Sequence, residues 1–108
     1  MSEVPNATVV ITNPTHYAVA LRYERGADGS AENAAPRCVA KGKNQVALRI
    51  REIARENDVV VYEDPPLARR LYADVEVGEL IPEDLYAAVA AVLSYVFRLQ
   101  RRAAGASA

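Results

Sequence analysis

Asn13 is followed directly by Pro14, then by Thr15 and His16. That order selects one chemistry. An asparagine ordinarily endangers its own backbone when the next residue's main-chain nitrogen attacks the side-chain amide, which ends in deamidation. Proline carries no N–H, so Pro14 closes that route. The reverse route stays open. The Asn13 side-chain nitrogen attacks its own main-chain carbonyl carbon, a succinimide closes, and the proline nitrogen leaves. The chain is then cut between Asn13 and Pro14. This is nucleophilic catalysis in which the protein is its own substrate.

A neutral amide is a poor nucleophile, so such a cut depends on geometry. Intramolecular alignment is worth effective molarities of about 10⁵ M or more in good cases. A tight turn between paired strands can hold that alignment, and backbone donors aimed at the developing oxyanion add to it. His16 could protonate the departing nitrogen or orient the turn. Thr15 could fix the loop through a side-chain hydrogen bond to the backbone. The residue types leave these roles open. Because the amide nitrogen reacts better as it loses a proton, cleavage is expected to slow as pH falls. Taken alone, Asn-Pro is a common turn dipeptide, and the residues by themselves favour a simple turn.

The flanking sequence supplies the elements that must position this motif. Thr8 to Thr12 is β-branched throughout and predicts a strand that stops at Asn13. Tyr17 to Tyr23 alternates, with Tyr17, Val19, Leu21 and Tyr23 on one face and Ala18, Ala20 and Arg22 on the other. Residues 24–35 are rich in Gly, Ala, Ser and Asp and predict an exposed, mobile loop. Arg37 to Lys41 predicts a short strand ended by Gly42, with Asn44 as N-cap of the next helix. Val46, Ala47, Ile50, Ile53 and Ala54 give that helix an inner stripe; Arg49, Arg51 and Arg55 are read as a solvated face. Val59 to Tyr62 is a continuous apolar strand expected to be covered on both faces. Asp64-Pro65-Pro66 starts a short helix through Leu67 and Leu71. Pro82-Glu83-Asp84 opens the last helix, with Leu85, Val89, Val92, Leu93 and Val96 as its buried stripe. The expectation is a small single α/β domain: about four strands in one sheet flanked by helices, with the turn between the first two strands. Residues 1–7 read as a flexible arm, 8–102 as the domain and 103–108 as a disordered tail.

The 108 residues suit one domain with one sizeable core. Basic and acidic residues nearly cancel, at 13 against 14, so no broad field of one sign favours nucleic acid or a lipid surface. Cys38 is the only cysteine and His16 the only histidine. Neither a disulfide nor a metal site is expected from them, and no cofactor; Cys38 reads as a core residue in a reducing compartment. No secretion signal follows Met1, and the apolar runs are too short to span a bilayer.

Read as a whole, the string Val10-Ile11-Thr12-Asn13-Pro14-Thr15-His16-Tyr17-Ala18-Val19-Ala20-Leu21 resembles the cleavage region of the FlhB/YscU family of type III protein-export switch proteins. Similar blocks follow in order: Ala35-Pro36-Arg37 with Val39 to Gly42, Ala47 to Ala54, Pro65 to Arg69, Ile81-Pro82, and Leu85 to Ala90. The resemblance runs from about Val9 to Leu99. It is closer to the flagellar branch, through His16-Tyr17 and Ala35-Pro36.

This resemblance implies cleavage between Asn13 and Pro14, with Asn13, Pro14, Thr15 and His16 as the catalytic motif and both pieces staying associated. It implies a cytoplasmic location at the inner-membrane export gate. The implied partners are rod/hook-type and filament-type export substrates, a length-sensing ruler protein and other export-gate components. The family's groove for early-substrate motifs falls on Ala35, Pro36, Ala90 and Leu93; core packing is an equal reading for Ala90 and Leu93. Full-length members carry transmembrane helices and a basic linker before this domain, so the sequence is expected to be a trimmed piece or a free-standing relative. A free-standing, non-cleaving homologue acting as a protein-binding accessory module is the alternative function. A protease acting on other proteins is the weakest, since no Ser-His-Asp or Cys-His arrangement is evident. The chain is accordingly expected not to be an enzyme beyond a single self-cleavage.

Overall fold

The computed structural model describes residues 1–14, 16–23 and 35–106, with side-chain surroundings through residue 103. Four strands form one sheet: β1 (Val9–Asn13), β2 (Tyr17–Arg22), β3 (Arg37–Lys43) and β4 (Val60–Glu63), in the order β3-β2-β1-β4. β1 pairs antiparallel with β2 and parallel with β4, and β2 pairs antiparallel with β3. The helices are α1 (Gln45–Glu56), α2 (Pro65–Asp74) and α3 (Tyr86–Ala106). This is the small α/β domain expected, with its sheet flanked by helices.

Alternation decides which helix each strand residue meets. Val9, Ile11, Val19 and Leu21 pack with Leu67 and Leu71 of α2 and with Val89, Val92 and Val96 of α3. Val10, Ala18, Ala20 and Ala40 pack on the opposite side with Ala47, Ile50 and Ala54 of α1. β1 and β2 are therefore buried on both faces, which is why three consecutive aliphatic residues, Val9, Val10 and Ile11, open β1. Ile11, Leu21, Ile50 and Leu71 are among the largest fully buried side chains, each worth about 1.5–3 kcal/mol of transfer free energy.

α2 begins as its sequence predicts. The Asp64 side chain accepts a hydrogen bond from the Leu67 N–H at 3.2 Å, and prolines fill the first turn, where a missing N–H costs nothing. The stripe of the last helix is also as read: Leu85, Val89, Val92, Leu93 and Val96 are buried. Cys38 is buried, and that burial pushes its thiol above the ordinary value, despite the opposing charge of Lys41.

Several expectations are corrected. The arm of residues 1–7 is docked: Val4–Asn6 forms a 3₁₀ turn, and Val4 is fully buried in the α1-side core. The tail expected over 103–108 continues α3 as far as Ala106. β4 lies at the edge of the sheet, so its valines are half-buried rather than covered on both faces. Val46 points outward at 46% exposure.

Gly42 does not end β3; the strand runs through it to Lys43. Its role is room, since a Cβ there would sit 2.2 Å from the Val46 Cγ1. Overpacking of that kind costs about 1–3 kcal/mol. Asn44 precedes α1 but caps nothing with its side chain; it takes φ 55° instead. The loop expected over 24–35 lies outside the described residues except for Ala35.

Candidate functional site

β1 and β2 are joined where the motif sits. Asn13 ends β1 and pairs with Tyr17 at the start of β2. The His16 main-chain N–H donates to the Asn13 carbonyl oxygen at 2.9 Å, closing a tight turn around Pro14. That oxygen belongs to the Asn13–Pro14 bond. A donor on it polarises the carbonyl carbon that an intramolecular nucleophile would attack, and it would stabilise negative charge developing there.

The turn is held from both sides of the sheet. Next to it, the Asn44 N–H donates to the His16 carbonyl at 2.9 Å, tying the turn to the start of α1. From α1 itself, the Arg51 Nη1 donates to the Pro14 carbonyl at 3.4 Å. On the other face, Tyr17 stacks on Tyr72 of α2 with ring centroids 4.7 Å apart, and the Lys41 ammonium lies 4.8 Å from the Tyr72 centroid. The Asp64 N–H donates to the Thr12 carbonyl at 2.9 Å, which fixes the end of β1 against the start of α2. Asn13 and Pro14 are half-buried and His16 is exposed. Thr15 lies outside the described residues.

The reading of Arg51 as part of a solvated face is corrected. Its side chain is half-buried, and its Nε is buried without a hydrogen-bond partner. Arg51 stands four residues after Ala47 and three before Ala54, so it sits at the margin of the buried stripe. That spacing was a usable signal.

The second group of residues also comes together. Ala35, Pro36, Ala90 and Leu93 line one cavity of about 200 Å³, along with Tyr23 and Tyr86. The two tyrosines were missed in the sequence. Tyr23 continues the Tyr17-Val19-Leu21 face, and Tyr86 precedes Ala90 by four residues, so strand and helix spacing both pointed to them. Pro36 is held in place through its carbonyl, which accepts from the Ile81 N–H at 2.9 Å. Two residues further on, the Cys38 N–H donates to the Glu79 carbonyl at 2.9 Å and the Gly78 N–H to the Cys38 carbonyl at 2.8 Å.

The structure does not bring the two groups to one place. The turn adjoins Tyr17 at one end of β2, and the cavity adjoins Tyr23 just past the other end. Six strand residues separate them by about 20 Å. Among the described residues, no helix is long and apolar enough to cross a membrane, and no cluster of His, Cys, Asp and Glu is placed to hold a metal ion.

Comparison with known proteins agrees with the fold. The chain is 54% identical over 101 residues to the flagellar biosynthetic protein FlhB of Escherichia coli K12, covering 94% of this chain and 25% of that protein. It is 46% identical over 102 residues to the FlhB of Bacillus subtilis, covering 94% of this chain and 27% of that one. It thus spans about a quarter of the length of these curated relatives. The crystal structure of the cytoplasmic domain of FlhB from Shewanella putrefaciens superposes with a TM-score of 0.84 at 46% identity, covering 96% of this chain and 76% of that one. A mutated EscU C-terminal domain superposes with a TM-score of 0.79 at 35% identity, covering 88% of this chain and 90% of that chain. The model of the FlhB HrpN YscU SpaS family matches residues 1–96. With that match, the relatives at about half identity and the shared fold, the chain belongs to the FlhB HrpN YscU SpaS family, on its flagellar side.

Proposed function

We propose that this chain is the cytoplasmic switch domain of a flagellar-type protein-export apparatus, and that it cuts itself once between Asn13 and Pro14. The observation that carries this reading is the hydrogen bond from the His16 N–H to the Asn13 carbonyl, 2.9 Å long, in an Asn-Pro turn. In the reaction, the Asn13 side-chain nitrogen forms a bond to its own carbonyl carbon. The C–N bond to Pro14 breaks. The proton lost by the amide passes to the Pro14 nitrogen, directly, through solvent or by way of His16. Water then opens the succinimide, so the products together weigh one water more than the chain.

Attack by the amide nitrogen implies a pH profile. The amide is a stronger nucleophile once deprotonated, so the rate of cleavage rises steadily from mildly acidic to mildly alkaline solution. Quantifying the two pieces on denaturing gels over time at several pH values checks it. A rate that is flat, or that climbs towards acid, would rule out attack by the amide nitrogen.

The lasting function is docking of export subunits. The cavity between Tyr23, Ala35, Pro36, Tyr86, Ala90 and Leu93 is mostly apolar and carries two tyrosines, which suits a short hydrophobic peptide. Rod/hook-type subunits are the proposed occupants, with filament-type subunits, a length-sensing ruler and neighbouring gate components as further partners. The site of action is the cytoplasmic face of the inner-membrane export gate. Ala90→Trp fills the cavity and should weaken binding of a hook-type subunit's N-terminal peptide at least about 10-fold, or about 1.4 kcal/mol. Chemical-shift titration reads this directly, and unchanged affinity would place docking elsewhere. Turn and cavity lie at opposite ends of β2, so no lining residue of the cavity belongs to the turn. That placement keeps one second reading alive, a non-cleaving accessory module that binds through the same cavity.

A further inference from the structure

We infer that Arg51 is a positioning residue for the cut, an inference that rests on the self-cleavage reading above. The geometry that points to it is local. Arg51 projects from the middle of α1, yet its Nη1 reaches the Pro14 carbonyl at 3.4 Å, bridging 37 positions of sequence. Its Nε is buried and has no hydrogen-bond partner. Leaving a guanidinium N–H buried and unsatisfied is costly, and native structures do so rarely. A cation with spare capacity fits a turn where negative charge appears only as the reaction proceeds.

Two effects follow from a guanidinium at this position. First, Pro14 has no N–H, so a donor on its carbonyl is one of the few main-chain hydrogen bonds available to fix its plane. With the His16 N–H on the Asn13 carbonyl, both carbonyls that flank the Pro14 ring accept a donor. The scissile bond is thereby clamped on each side. Second, a fixed positive charge on the Pro14 carbonyl withdraws electrons from the departing nitrogen and makes it a better leaving group. Once the cut is made, that nitrogen becomes a cationic amine terminus. The charge on Arg51 then repels it and favours its release from the turn.

The test uses the full chain and follows the half-life of cleavage alongside thermal melting. Arg51→Met keeps the apolar stem and removes the cation; cleavage should slow about 10-fold or more. Arg51→Lys, which keeps a charge but loses the planar fork, should fall between the two. Ile50→Val is the control, because it loosens the same helix without touching the turn. It should lower the melting temperature and leave the half-life unchanged. In Arg51→Ala, added ethylguanidinium should shorten the half-life where an equal concentration of urea does not. Cleavage of Arg51→Met at the rate of the unmodified chain would overturn the inference, as would equal slowing in Ile50→Val. If the unmodified chain itself stays whole, the self-cleavage reading fails and this inference with it; if only Arg51→Met cleaves normally, this inference alone fails.

Discussion

Asn13→Ala should leave the chain whole under conditions in which the unmodified chain separates into two pieces. The loss is expected to be complete on any practical timescale. The substitution removes the nucleophile itself, and with it an effective molarity of about 10⁵ M or more. Among the described residues, the contacts that hold the turn use the backbone of residue 13. The bond from the His16 N–H goes to the main-chain carbonyl of residue 13, and the pairing with Tyr17 is also made by the backbone. Asn13 is only half-buried, so its truncation should cost stability by no more than about 1 kcal/mol. Denaturing mass spectrometry together with a thermal melt separates the two quantities. An Asn13→Ala chain that still yields Pro14 as a new N-terminus would mean that the succinimide route is wrong.

The second large effect concerns what happens after the cut. Residues 1–13 would then be held only by non-covalent contacts. They are well placed to stay. β1 is flanked by β2 on one side and β4 on the other, and Val9, Val10 and Ile11 are fully buried, as is Val4 ahead of them. Backbone pairing and apolar burial survive a break beyond the last strand residue. The cleaved protein should therefore run as a single native species and part only on denaturation. Ile11→Ala tests the source of that grip. Ile11 meets the core shared by α2 and α3, and truncating it should cost about 2–5 kcal/mol. In the cleaved protein the same loss should speed escape of the 13-residue piece by at least about 30-fold. Native mass spectrometry over time and denaturant melts give both readings. A melt shifted by less than about 0.5 kcal/mol would place the grip elsewhere.

The sequence exposed some parts of this protein more readily than others, for physical reasons. Alternation from Tyr17 to Tyr23 showed which residues share a face, and both faces proved to be core. Asp64-Pro65-Pro66 announced α2 because capping is local chemistry. Position within the sheet is not local. Val59 to Tyr62 looks like an inner strand, yet among the described residues β4 ends the order β3-β2-β1-β4 and is an edge. Gly42 looked like a break, whereas its real constraint is the approach of Val46 from the following helix.

The candidate site divides in the same way. Asn13-Pro14 was legible because the chemistry needs those two residues side by side. The donors around it were hidden, since they reach it across the fold. The His16 donor is a main-chain N–H, which no residue type reveals. Arg51 arrives from 37 residues away, and its charge argues for a solvated face, whereas the fold turns its Nη1 to the Pro14 carbonyl. The groove was legible only through the resemblance to relatives. Ala35, Pro36, Ala90 and Leu93 carry no chemistry that would have marked them, and their meeting around one cavity depends on how the α3 packs beside Tyr23 and Pro36.

The central claim is a single cut between Asn13 and Pro14, and the most direct measurement is denaturing mass spectrometry of freshly purified chain. Two pieces are expected, with masses that sum to that of the chain plus one water, one of them beginning at Pro14. A single intact species after prolonged incubation in mildly alkaline solution would contradict it.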